Sequence, residues 1–349
     1  MHRNNFDFLR LFFAILVVIH HCNPLSGTAE QDTLFYLTNG KISLTYIGVR
    51  GFFIISGFLI FQSLIRSKDL LDYFTKRLLR IYPALIAVLL FTVFACALAY
   101  NGSLINYFTN IKTWSYAIVN LSMVKGQSTI PGVFENNPFK QVINGSLWTI
   151  AYEMSMYFFI APLYFLRKKS KPTMLIAILI MLLVLFTGRI FFIEELMSMH
   201  TVLMMDFWIN FAILFMIGAL FSLIEIEKIP NKITVLSIAV VLFIVCLPLS
   251  YFEYIQYLLL PVIVILAGSG YVKGISSITE KTGDISYGTY IYGFIVQQLI
   301  MYFFALSSNE LLIISLPLTL FFGWLSWHLI EKYALAKKQI VYQKIKSYF

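Results

Sequence analysis

The chain has 349 residues, 59% of them hydrophobic and 17% aromatic but only 12% charged, with a formal net charge of +9. Apolar runs long enough to cross hydrocarbon recur along it, which excludes a soluble globular domain of this size. The cations sit between those runs and form no basic stripe among polar residues, which excludes a nucleic-acid binder. Cys22, Cys96 and Cys246 lie in apolar stretches without ligand spacing, so neither a disulfide framework nor a metal site is expected.

At about 20 mostly apolar residues per span, ten spanning helices are predicted, over 6–25, 45–65, 81–100, 147–166, 173–193, 205–224, 233–250, 252–270, 285–306 and 311–330. The first run is interrupted by Arg10 and no small-x-small cleavage signal follows closely, so it reads as a retained span, not a signal peptide. The expected fold is an all-α polytopic membrane helix bundle forming one domain over residues 1–349, without internal repeats or a soluble domain at either end. Lys and Arg divide unevenly between alternate connections. With the N-terminus inside, one side carries Arg3, Arg66, Lys68, Lys76, Arg77, Arg80, Arg167, Lys168, Lys169, Lys171, Lys228, Lys232, Lys273, Lys281 and the tail from Lys332. The other carries Lys41, Lys112, Lys125, Lys140 and Arg189, so both termini are expected to be cytoplasmic. The 101–146 connection is external and long, and its apolar patch Trp114–Val124 is too short to span and suits an interfacial or re-entrant position.

In the first span, FDFLRLFFAILVVIHH, Arg10 and His21 are about three helical turns apart, within roughly 20° of one face and about 16 Å along the axis. His20, one step of about 100° earlier, points away from that face and is expected to be largely dispensable. Embedded ionisable groups usually mark function; the alternative is that Arg10 snorkels to the interface and the histidines hydrogen-bond at the outer one. The second span, YIGVRGFFIISGFLI, adds Arg50, a further embedded cation or an interfacial anchor. Its Gly48, Gly51, Ser56 and Gly57 suit close helix packing.

In YFTKRLLRIYPAL, Arg77 and Arg80 share a helix face before the third span, as either a phosphate clamp or positive-inside anchors. The fourth span, SLWTIAYEMSMYFF, aligns Ser146, Thr149, Glu153 and Tyr157 in a polar stripe, with Glu153 the one acidic residue expected well inside a span. Glu153 and His21 can then lie at similar depth, as a base and its orienting partner do; a structural glutamate is the alternative. In DISYGTYIYGFIVQQ, Ser286, Tyr290, Gly293 and Gln297 form a weaker stripe that can line the same cavity. The closing WHLIEKYALAKK puts Glu331 and Lys332 at the inner end of the last span, where they read as interfacial anchors.

Taken in order, Arg10 and His21 flanking ten residues, GVRGFFIISGFLI, RLLRIYPA, SLWTIAYE, DISYGTYIYGF and WHLIEK resemble the bacterial acyltransferase 3 family of membrane acyltransferases, over nearly the whole chain. The resemblance implies an acyl-coenzyme A donor, usually acetyl-CoA, with no permanently bound cofactor. It implies an acceptor hydroxyl on a lipopolysaccharide, capsule, peptidoglycan or other glycan, and a multi-pass location in the bacterial inner membrane. It further implies that Arg10, Arg77 and Arg80 handle the donor and that His21 works on the acceptor. Many relatives carry an acidic residue where Arg50 stands and a histidine where Gly293 stands, so neither position can take such a role here. Tyr333 follows Lys332 where many relatives have proline, which bears on how the last helix stops. Without an appended hydrolase-like domain, the chain looks like the stand-alone form.

The expected mechanism has His21, oriented by Glu153, removing the proton of a sugar hydroxyl that attacks the thioester. Arg50 or a tyrosine is the expected oxyanion donor, and Trp148, Tyr157, Tyr290 and Gln297 complete the cavity or acceptor set. Two rivals use the same ionisable residues: a secondary transporter, which inverted repeats would favour, and a glycan flippase or polymerase.

Overall fold

The computed structural model describes residues 4–124, 126–199 and 201–348. Arg3 and Lys125, both counted in the charge asymmetry, lie outside the described residues. Helices follow one another as α1 (Phe6–Ser26), α2 (Thr33–Leu37), α3 (Leu44–Arg66), α4 (Leu70–Cys96), α5 (Leu104–Thr109), α6 (Ile111–Ser122), α7 (Trp148–Ile160) and α8 (Lys171–Phe191). Then come α9 (Ile193–Ser198), α10 (Met205–Ile224), α11 (Lys232–Cys246), α12 (Phe252–Ser269), α13 (Lys273–Thr282), α14 (Ser286–Phe303), α15 (Ser308–Ser326), α16 (Lys332–Ala336) and α17 (Lys338–Lys346). Among the described residues there is no strand, and the all-α polytopic bundle is what the structure shows.

Among the described residues eight helical stretches are long and apolar enough to cross a membrane: Phe6–Ser26, Leu44–Arg66, Leu70–Ala99, Trp148–Leu166, Lys171–Phe191, Met205–Ile224, Phe252–Ser269 and Ser308–Ala336. They match eight of the ten predicted segments. The other two differ for separate reasons. α11 ends at Cys246 after 15 residues, short of a span at 1.5 Å per residue. α14 has 18 residues, but its serine, tyrosines and adjacent glutamines dilute its apolar character, and most of its side chains are buried in protein. A helix enclosed by protein can carry polar groups that a lipid-facing one cannot.

Caps account for several boundaries. Ser170 accepts from the Thr173 amide at the start of α8, and Ser307 with Glu310 forms a reciprocal capping box on α15. Glu225, with φ of 58°, closes α10 in the left-handed conformation. In the 101–146 connection the apolar patch becomes α6, capped by Asn110 and too short to span, as predicted. It buries Thr113 and Tyr116 and exposes Ile111 and Ile118. Burial pushes the Tyr116 phenol well above its ordinary value, as a packed underside requires.

The chain divides into two compact units. The first takes the residues up to Arg10, Val49–Phe74 and Tyr152–Ile278. Its centre is α10, nearly every side chain of which is buried from Ile209 to Ala219. A Cβ at Gly57 of α3 would collide with the Phe215 carbonyl of α10, and one at Gly218 of α10 with the Ile54 carbonyl of α3. The two backbones thus cross through paired glycines, the small-residue packing expected of α3. Phe53 stacks on Phe211 beside the crossing, with centroids 4.2 Å apart. Arg189 bonds Asp206 at 3.2 Å and Glu253, joining α8, α10 and α12.

The second unit takes Leu11–Gly48, Thr75–Ala151 and the residues from Thr279 onward. α14 and α15 pack tightly here, because a Cβ at Gly288 would stand 2.9 Å from Gly323 Cα.

Candidate active site

In the second unit α14 joins α4, α1 and the 137–149 stretch. At its N-terminal end Asp284 bonds Arg80 of α4 at 2.7 Å. Further along, Tyr290 and Thr149 share a hydrogen bond of 2.6 Å, and Asn144 donates to the Ile291 carbonyl at 2.8 Å. Gln298 accepts from Asn137 at 2.7 Å and donates to the carbonyls of Phe139 and Val142. Gln297 donates to the Val18 carbonyl of α1 at 2.9 Å and to Cys22 Sγ at 3.0 Å. A Cβ at Gly293 would stand 2.8 Å from Val18 Cγ2, so the glycine admits the close approach of α1. The predicted stripe Ser286, Tyr290, Gly293 and Gln297 is therefore spread over several partners, Ser286 bonding Asp284 at 2.6 Å.

His21 is on α1, part-buried, with its ring edge-on to Phe294 of α14, centroids 5.0 Å apart. Phe294 is fixed in turn: a Cβ at Gly145 would come within 2.5 Å of its ring. The ring of His20 meets that of His21 edge-on at 5.5 Å. A carboxylate reaches His20 directly, with Nδ1 lying 2.6 Å from Asp32 Oδ2. Sequence reasoning passed over Asp32; the available signal was an aspartate immediately before the apolar TLFYL, the position of a helix N-cap.

Arg77 and Arg80 lie on α4 in the second unit, and Arg80 is already engaged. Its guanidinium bonds Asp284 at 2.7 Å and Glu331 at 3.0 Å, with the rings of Tyr287 and Trp327 about it. Glu331 also accepts from Ser326 at 2.8 Å and is only 1% exposed. The reading of Glu331 as an interfacial anchor is thereby corrected. It is a buried ion-pair member, and Glu153 is not the only carboxylate inside an apolar stretch. Glu331 closes a π turn over Trp327–Glu331. Trp148, the first residue of α7, is 41% exposed.

In the first unit Glu153 accepts from Tyr157, one turn along α7, and from Ser56 Oγ of α3 at 3.5 Å. Tyr157 is buried, and its carbonyl accepts from Tyr73 at 3.2 Å. The lower half of the predicted stripe is thus a real polar network, while Ser146 precedes the helix and Thr149 turns to Tyr290. Arg10 bonds Asp7 at 3.5 Å, and Arg50 is half-buried on α3. His21, Arg77, Arg80, Trp148, Tyr290 and Gln297 belong to the second unit, and Arg10, Arg50, Glu153 and Tyr157 to the first. No cluster of His, Cys, Asp and Glu able to hold a metal occurs among the described residues.

The chain is similar to an O-acetyl transferase of Shigella phage Sf6, 28% identical over 97% of this chain and 98% of that protein. It is also similar to Nodulation protein 10 of Rhizobium leguminosarum bv. viciae, 35% identical over 45% of this chain and 42% of that protein. No solved structure matches it. The acyltransferase domain model matches residues 3–328, and the chain belongs to that family, acyltransferase 3.

Proposed function

We propose that this protein transfers an acetyl group from acetyl-CoA to a hydroxyl of a cell-surface or envelope glycan, from a multi-pass position in the bacterial inner membrane. The observation that carries the reading is the family match over residues 3–328 joined to end-to-end similarity with a protein named O-acetyl transferase. In the reaction His21 takes the hydroxyl proton as the oxygen attacks the thioester carbonyl. The carbon–sulfur bond breaks, the ester forms, and the proton passes to the departing thiolate, leaving free coenzyme A. Glu153, braced by Tyr157 and Ser56, serves the same reaction as a fixed carboxylate. Arg10, Arg77 and Arg80 are the proposed donor-handling residues, since guanidinium forks suit phosphate oxygens. Arg50 is the proposed oxyanion donor, and Trp148, exposed at the start of α7, the proposed acceptor platform.

Purified protein in lipid, incubated with labelled acetyl-CoA and a panel of bacterial glycans, should give labelled ester and free coenzyme A in equal amounts. His21→Ala should lower turnover by roughly two to four orders of magnitude. Transport or flipping of a glycan without ester formation would overturn the reading.

A further inference from the structure

Asp32 is 2% exposed and lies between α1 and α3 in the chain. Its carboxylate receives three donors: the Phe35 amide at 3.0 Å, the Leu44 amide at 2.8 Å and His20 Nδ1 at 2.6 Å. One side chain therefore caps α2, holds the first residue of α3 and grips a ring of α1. A carboxylate offers only acceptors, so the shared proton belongs on His20 Nδ1, which fixes both the orientation and the tautomer of that ring. The fixed ring lies edge-on to His21, and on another side His21 meets Phe294, itself confined by Gly145. The result is a continuous run of contacts from two backbone amides to the His21 imidazole. A structural tie of α2 alone would not need a histidine as its third donor.

Building on the acetyl-transfer reading, we propose that Asp32 and His20 act as a positioning pair that holds the His21 ring for proton transfer. Asp32 works through His20, and neither residue touches the substrate. Functional imidazoles are generally aimed by an outer partner that fixes their geometry: its loss costs about 10–100-fold at metal sites and about 10⁴-fold for the aspartate of a Ser-His-Asp triad, and a partner that acts through a second ring belongs at the lower end. Here the outer partner is a second imidazole whose own ring is set by a carboxylate.

Two substitutions separate positioning from structure. Asp32→Asn keeps a good N-cap but removes the charge and can invert the His20 tautomer. His20→Asn keeps a donor for Asp32 and removes the ring that meets His21. Each should lower kcat by about 10–100-fold with KM for acetyl-CoA within about twofold of wild type. The double variant should be no slower than the slower single one, because the two act as a unit. Asp32→Glu, which retains the charge, should recover more activity than Asp32→Asn. A kcat within about twofold of wild type in either Asn variant, or additive losses in the double variant, overturns the proposal. So does failure of both variants to accumulate, which makes the pair a structural tie. If wild-type protein itself forms no acetyl ester, the acetyl-transfer reading fails; an active wild type with active variants leaves that reading standing and removes only the pair.

Discussion

The Arg80 guanidinium is shared between Asp284 and Glu331, and that sharing determines what a substitution there measures. Removing the arginine leaves two carboxylates together, one of them 1% exposed. Breaking a buried pair on one side costs about 3–5 kcal/mol. Arg80→Ala should therefore show mainly a lower unfolding midpoint in detergent. Arg77→Lys should weaken coenzyme A binding with little change in that midpoint, because it keeps the charge and gives up the fork. Equal stability of Arg80→Ala and wild type would contradict the first expectation, and unchanged coenzyme A affinity in Arg77→Lys the second. Sequence spacing put both arginines on one helix face, and the structure places both on α4. It could not distinguish the two, since the partners of Arg80 lie 204 and 251 residues further along. The histidines show the same limit. Helical phase set His20 apart from the face of His21, but it could not show that His20 Nδ1 meets the carboxylate of Asp32, 12 residues further along.

At the scale of elements, α3 and α10 meet where Gly57 and Gly218 remove side chains from both backbones. In a membrane, close packing has to supply what hydrophobic burial supplies in water. Gly57→Val should separate the helices and lower stability by at least ~2 kcal/mol, since overpacking a tight contact usually costs about 1–3 kcal/mol and here the obstacle is backbone. Gly274→Ala on α13 is the control, because nothing stands within 4 Å of a Cβ there, and it should be neutral or stabilising by up to about 1 kcal/mol. Similar unfolding midpoints for the two variants would argue against the crossing. The small residues of α3 were legible as packing residues from composition alone, but their partner was not, because α10 reads as uniformly apolar and presents no stripe.

For the molecule as a whole the open count is eight crossings or ten, and α14 decides it. Its N-terminal end is tied to Arg80 of α4, and Gln298, near its other end, to the 137–142 stretch beyond α4. α14 also packs closely on α15, itself in one of the eight stretches, so we expect α14 to cross, and α11 with it. Exposed Lys169 and Lys281 then face the same side, whereas a chain with only eight crossings puts them on opposite sides. Cysteines at these two positions, in a cysteine-free background and labelled from each side in turn, give the answer. Opposite labelling would remove α11 from the membrane, and a third cysteine at Lys337, beyond α14 and α15, would remove α14 if it were labelled from the side opposite to Lys281. Apolar run length, helical phase and the distribution of cations are properties of short stretches of chain, so the sequence by itself determined an all-α membrane bundle, most of its spans and a set of ionisable residues worth naming. Only the tertiary structure decided which of them are engaged across elements: Arg80 with Glu331, His20 with Asp32, Glu153 with Ser56. The physical reason is that a buried charge or polar group takes whatever partner packing brings within about 3 Å, and packing joins residues without regard to their separation along the chain.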